Sequence, residues 1–437
     1  MNAARPEVRA WSSLPEPERR RLLERGAEPP AGLRAAIADL VEDVRTRGDA
    51  AVLDALRRFD GLELRGNQLQ VSKAEFAAAR AALPAGLVAA VRASIAQVRA
   101  FNEVVRERGS WRRAEAGAET GEIVRAIDSV GLFVPSGKGS YPSVLIQIGT
   151  PAVVAGVERI AVVVPPTPGT GGQVDPAVLV VAEELGIREV YRCNGPAGVA
   201  ALACGTATVP RVGKIVGPGS PAVAVAQAEV QRLGCVVEPG FGPTDALIVA
   251  DGSADPRLLA VDLVNEAEHG PDSSAVLVGT DPEVLAAAAA NVAEQLAALP
   301  APRAAYAAAS ILHNGGILLA ADRAEAMGIA NAYAPEHLQL AVAEPESWLP
   351  LVRHAGTVLL GQWTTMAASN FAIGTPATLP TSGYARRVSG VTAATYLTRI
   401  AVARLDEPAF RRLAPIVTAF AAHEDFPAHA ATVTARA

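Results

Sequence analysis

Apolar residues recur at helical spacing through the first quarter of the chain, then give way to short β-branched runs. Residues 18–25 read as a charged helix, followed by the turn Pro29-Pro30-Ala31-Gly32. Residues 33–60 form a second helical stretch with charge on one face. Residues 75–105 repeat it, broken at Pro84-Ala85-Gly86. Residues 121–134 change character and read as one strand, running into a Gly/Pro loop at 135–143. A helix (144–156), a strand (159–164), a helix (176–186) and a strand (189–193) follow. The alternation resumes with strands at 246–250 and 274–278, helices at 256–267 and 282–299, and further strands at 315–319 and 357–360. Alternating strands and helices predict parallel sheets covered by helices, an α/β fold.

The pattern divides into two incomplete Rossmann-like parallel-sheet units with helical N- and C-terminal extensions. The expected boundaries are 1–27 for the N-terminal extension, 28–132 with 245–390 for a discontinuous first unit, 133–244 for the second, and 391–437 for a helical tail. Half of the 437 residues are hydrophobic, enough for large cores, and only 4% are aromatic. A net charge of −6 argues against a nucleic-acid surface or a polybasic membrane anchor. No apolar run reaches the roughly 18 residues of a membrane span; the richest, 144–164, is broken by Gln147, Pro151, Glu158 and Arg159. The first residues lack a signal-like apolar stretch, and Cys193, Cys204 and Cys235 are sparse and without metal spacing. Both point to reduced thiols, mainly buried, in a cytoplasmic protein.

The chemistry concentrates around a few of the six histidines. Glu266 and His269 are three apart on the helical reading, so they share a face and can bind one Zn²⁺; a helix C-terminus with a dipole-facing His explains them equally well. Glu336 and His337 offer two proton-transfer groups; the alternative is a helix start at Pro335. His423, Glu424, Asp425 and His429 form a third cluster, or a solvated polar face. His313 and His354 stand alone. The Gly137-Lys138-Gly139 loop follows a strand and opens a helix, where free N–H groups can hold a phosphate or merely close a turn. Residues 168–172 lack phosphate-loop spacing.

Taken together, PSGKGSYPS, VGPGS, EHGPDS and PEHL, with DVRTRGDAAVLDALRRFDG near the start and AAHEDFPAHAATVTAR near the end, resemble the histidinol dehydrogenase family. The likeness runs in order from about Ala35 to Arg436. It implies one Zn²⁺ per site and two NAD-dependent oxidations that carry a primary alcohol through an aldehyde to a carboxylate. By resemblance, His337 takes the alcohol proton and Glu336 activates water to attack the aldehyde. The implied zinc ligands are Glu266, His269, Asn370 and His429. The family has Gln and Asp where this chain has Glu266 and Asn370, so one carboxylate and one amide are kept in exchanged positions, which predicts that zinc is retained.

The resemblance also implies substrate contacts at Thr244, Glu266, His269, His337, Asn370, Glu424 and His429, and cofactor contacts at Phe133, Ala197 and Ser220. Several of these depart from the family: Phe133 replaces a Tyr, Ala197 a Gln, Ser220 an Asn, Thr244 a Ser, and Pro376-Ala377 an Asn-His pair. The changed recognition positions favour a homologue acting on another small polar alcohol, such as sulfopropanediol. The alternatives are L-histidinol itself and a non-catalytic zinc- or nucleotide-binding relative. The resemblance further implies a homodimer whose C-terminal segment completes the partner's site.

Overall fold

The computed structural model describes residues 5–25, 29–136 and 139–436. Two parallel sheets organise it. The six-stranded sheet runs Val8–Ala10, Gly316–Leu319, Ser274–Gly279, Asp245–Ala250, His337–Ala341, Thr357–Leu360 from edge to edge. The five-stranded sheet runs Glu189–Arg192, Arg159–Val164, Ser129–Phe133, Lys214–Val216, Val236–Val237. Strands covered on both faces should be continuously apolar, and Asp245–Ala250 and Ser274–Gly279 are buried at every position.

Three crossover helices share one start signal. Asp175, Asp255 and Asp281 each cap a helix with the side chain accepting from backbone N–H groups, and each is followed by Pro at the first helical position. The Asp satisfies orphan donors, and the Pro supplies a helical φ where no N–H is needed. Among the described residues, no single helix is long and apolar enough to cross a membrane.

The structure corrects four sequence expectations. Helices Leu33–Arg47 and Asp49–Asp60 bury Val41, Val44 and Leu56 against Val199 and Leu202, on one face of the five-stranded sheet. Helices Lys73–Ala82 and Ala85–Glu107 put Phe76, Val91, Ile95 and Val98 into the core on its other face. Residues 33–107 therefore pack with the five-stranded sheet, not with 245–390: an amphipathic pattern defines a buried face but not which sheet covers it. The N-terminal segment is also not wholly helical, because Val8–Ala10 adds an edge strand to the six-stranded sheet.

Residues 121–134 are not one strand either. Ala118–Ala126 lies in a small antiparallel sheet between Trp111–Glu115 and Leu397–Leu405, whereas Ser129–Phe133 is central in the five-stranded sheet. The C-terminal tail thus begins with a strand before its helices, Glu407–His423 and Pro427–Thr434. Cys193 and Cys235 are buried, Cys204 is partly buried, and all three are free.

Candidate active site

Strand order reverses at Ser129–Phe133, which has Arg159–Val164 on one side and Lys214–Val216 on the other. Loops leaving the carboxyl ends at such a point diverge and open a crevice. The two loops here, through Pro135 and Ser136 and through Pro218, Gly219 and Ser220, form one wall of a cleft of about 470 Å³. Gly217 begins the second loop at φ 142°, where a Cβ would collide with the Phe133 carbonyl. Ser220 then caps the helix Pro221–Val230, accepting from Val223 N, so that helix's N-terminus faces the cleft. Gly137 and Lys138 of the candidate phosphate loop lie outside the described residues.

The opposite wall comes from the amino ends of the six-stranded sheet. A crossover helix returns the chain from a strand's carboxyl end to the amino end of the next strand. The C-terminus of Pro256–Ala267 is therefore delivered beside the starts of Asp245–Ala250 and His337–Ala341. This topology brings Glu266 and His269 to Glu336 and His337, although about seventy residues separate the pairs in sequence.

Glu336 and His337 open a strand, not a helix. Ala334 adopts a left-handed conformation (φ 50°) that ends the helix Arg323–Tyr333 and turns the chain into the sheet. His337 then pairs with Ala246 and Thr357, between two neighbouring strands. Both side chains are nearly closed off, at 7% exposure for Glu336 and 2% for His337.

Asp245 holds Glu336 in place. Glu336 N donates to Asp245 Oδ1 at 2.7 Å, and Asp245 N donates to Glu336 Oε2 at 3.3 Å. Asp245 Oδ2 accepts from Arg25 Nη2 at 3.0 Å and from Ser382 N at 2.5 Å. The Arg25 guanidinium lies 3.4 Å from the centre of the Tyr333 ring. Burial, then the charges of Asp245 and Glu266, push the Glu336 carboxyl well above the ordinary carboxylate range. Burial pulls the His337 imidazole down, partly offset by the Glu266 charge. Neither His337 ring nitrogen makes a hydrogen bond of good geometry; the nearby Asn370 side chain adds a small pull on its proton, and the buried imidazole faces the cleft.

Three of the expected metal donors meet. Glu266, 1% exposed, accepts on Oε1 from Asn370 Nδ2 at 3.0 Å and from Asn265 Nδ2 at 2.8 Å. His269 Nδ1 lies 3.1 Å from the Glu266 carbonyl, which leaves its other ring nitrogen for a ligand. Asn370 sits in a π-helical turn, Ser369–Ile373; one amide N–H donates to Glu266, so its carbonyl oxygen is turned away from that carboxylate, and the side chain lies beside His337. A carboxylate, an imidazole and an amide oxygen suit zinc, one donor short of a tetrahedral set. No three His, Cys, Asp or Glu side chains among the described residues are grouped to hold a metal.

Seven expected residues, Ser220, Thr244, Glu266, His269, Glu336, His337 and Asn370, line this one cleft. The structure does not bring the other four to it. Phe133 and Ala197 are buried in the core beside it, as apolar side chains favour. Glu424 and His429 are exposed on the tail, with the His429 ring stacked 4.9 Å from that of Phe426. Three residues at the cleft or behind Glu336 carry no functional signal in the sequence. Asp245 and Arg25 had no motif, and Gln147 registered only as an interruption in an apolar run.

A family model described as Histidinol dehydrogenase matches residues 23–437. The chain is 36% identical over 430 residues to a histidinol dehydrogenase homolog of Colwellia psychrerythraea, covering 98% of this chain and 96% of that one. It is 39% identical over 405 residues to a histidinol dehydrogenase of Symbiobacterium thermophilum, covering 92% and 91% respectively. The crystal structure of histidinol dehydrogenase from Elizabethkingia anophelis matches with a TM-score of 0.92 at 28% identity, covering 100% of this chain and 98% of that one.

Proposed function

Because the chain belongs to the histidinol dehydrogenase family, an NAD-linked oxidoreductase family acting on CH–OH donors, we propose that it oxidises a primary alcohol through an aldehyde to a carboxylate in this cleft, with L-histidinol as the substrate. The observation that carries the reading is His337: buried, facing the cleft without a well-formed hydrogen bond at either ring nitrogen, and adjacent to a carboxyl of raised proton affinity.

His337, kept neutral by burial, accepts the alcohol proton in the first oxidation. Glu336, whose proton affinity is raised by burial and by the charges of Asp245 and Glu266, accepts a proton from water as that water adds to the aldehyde, and the resulting hydrate undergoes the second oxidation. Asp245 keeps Glu336 oriented through its backbone bond. Glu266, His269 and Asn370 are this chain's residues that would hold zinc, which when bound would hold the substrate in place for the two oxidations. The fourth donor, His429, and the substrate contact Glu424 would come from a second copy of the chain. The exposed Trp111, Ile400, Phe420 and Phe426 on the small sheet and tail helices suit such an exchange. The loop around Ser220 and the helix N-terminus behind it would receive the phosphates of NAD, the hydride acceptor.

NADH absorbance with L-histidinol, on protein purified without chelator, tests the proposal. Two NADH per alcohol are expected, and no NADH from zinc-loaded enzyme across a panel of polar alcohols would overturn it. A second reading, another small polar alcohol, is favoured by residue 377: Ala377 offers the cleft no polar side chain, and its backbone N–H is taken by Gln147.

A further inference from the structure

Gln147 is a polar side chain in an otherwise apolar stretch of the buried helix Pro142–Ala155, and it is 3% exposed. Its Oε1 accepts from Ala377 N at 3.2 Å. That bond fixes the amide's orientation, because a backbone N–H must face the oxygen and the NH₂ group then points the other way. Nε2 has no hydrogen-bond partner, and the residue lines the cleft. A buried amide donor without a partner is costly, and the cost is recovered when a ligand brings an acceptor. Gln147 belongs to the wall built on the five-stranded sheet, whereas Glu336 and His337 belong to the other wall. An alcohol bound in the cleft with its carbinol at His337 thus has Gln147 among the residues lining the opposite wall.

We propose that Gln147 sets substrate specificity. Its Nε2 donates to an acceptor atom on the part of the alcohol that does not react, so the cleft selects alcohols carrying such an acceptor and discriminates against those with an apolar or purely donating end. This rests on reading the cleft as the alcohol site. The same donor serves an unprotonated imidazole nitrogen or the oxygen of an acidic group, and the test separates the two.

The experiment is calorimetric binding of L-histidinol, 2,3-dihydroxypropane-1-sulfonate and 1-butanol to the zinc-loaded protein, wild type, Q147L and Q147E, without NAD. Wild type should prefer one of the two acceptor-bearing alcohols to butanol, and Q147L should weaken that alcohol by about ten-fold or more while leaving butanol unchanged. Q147E keeps the bond to Ala377 N and replaces only the free donor. It should weaken the sulfonate further still, because two anions then meet. It should restore part of the histidinol affinity, because a neutral imidazole can donate instead. If Q147L fails to fold, Q147E with the better-bound probe decides alone. Wild-type affinity in both variants, or no preference over butanol in the wild type, would overturn the proposal. If binding follows the expectation and no NADH forms, the specificity role stands and the dehydrogenase reading falls.

Discussion

Glu336 and Asp245 are joined twice, each backbone N–H donating to the other's carboxylate, at 2.7 Å and 3.3 Å. Two acidic residues are thereby held together in a buried place, and Arg25, bonded to Asp245 Oδ2, makes this tolerable. The three form a graded series: a fixed cation, a carboxylate paired with it, and a carboxyl whose proton affinity is raised by burial and then by the Asp245 charge.

Changing Asp245 and changing Arg25 should move the pH profile in opposite directions. Glu336 must lose its proton to act as a base, so its raised proton affinity sets the acidic limb of kcat/KM. D245N removes a charge that raises it, and the limb should move to lower pH. R25M leaves the Asp245 charge unopposed, and the limb should move to higher pH. Both variants break a buried ion pair and should lose about 3–5 kcal/mol of stability. Limbs that coincide with wild type in folded protein would show that Asp245 does not act on Glu336.

The same raised affinity makes a stability prediction. A carboxyl whose folded value lies above its unfolded value stabilises the fold fully below the unfolded value, and this contribution is lost as pH rises through the folded one. E336Q has no proton to lose. In zinc-free protein the difference in urea midpoint should therefore shift in favour of E336Q as pH rises from about 5 to about 8. In turnover, E336Q should slow aldehyde oxidation more than alcohol oxidation, seen as released aldehyde. Equal slowing of both steps would remove Glu336 from the water-activating role.

The sequence exposed the strands and helices well where a single local rule decides them. The Asp-Pro starts at 175, 255 and 281 and the β-branched runs at 159–164 and 274–279 are legible as they stand. It did not show which sheet the helices of 33–107 cover, because that depends on partners far along the chain. The strand Leu397–Leu405 alternates weakly, sits on an exposed three-stranded sheet and follows a stretch that resembles a helical tail. In the site, Glu336 and His337 were visible because they are adjacent. Asp245, Arg25 and Gln147 were not, since each acquires meaning only from a partner roughly 90 to 230 residues away.

His337 itself should be indispensable for chemistry and dispensable for metal. H337N keeps a small polar group near the imidazole position, and it should lower NADH formation by about 10²–10⁴-fold while zinc content by elemental analysis stays at the wild-type level. Unchanged turnover would refute the assignment of the base.

The exposed tail supports a complementation test. Protomers carrying H337N and protomers carrying H429N are each expected to be inactive. After mixing and subunit exchange, half of the dimers are mixed, and each mixed dimer holds one intact site of two. Activity should therefore recover to about a quarter of wild type. No recovery in demonstrably mixed dimers would mean that His429 serves its own chain.

The metal donors carry the last prediction. Asn370 Nδ2 donates to Glu266 Oε1, so the amide and the carboxylate are a matched pair and not two independent ligands. E266Q alone leaves no carboxylate among the expected donors and should lower zinc affinity by at least about ten-fold. N370D alone sets a second carboxylate against Glu266 where a donor now sits, so its zinc-free form should melt below wild type, and added zinc should raise its Tm more than it raises that of wild type. E266Q/N370D restores a donor facing a carboxylate with the roles exchanged. It should recover wild-type zinc content and Tm, because the site needs one charge and one hydrogen bond between these positions, whichever residue supplies each. Full zinc in E266Q, or its loss in the double variant, would show that the position of the charge matters more than the pairing.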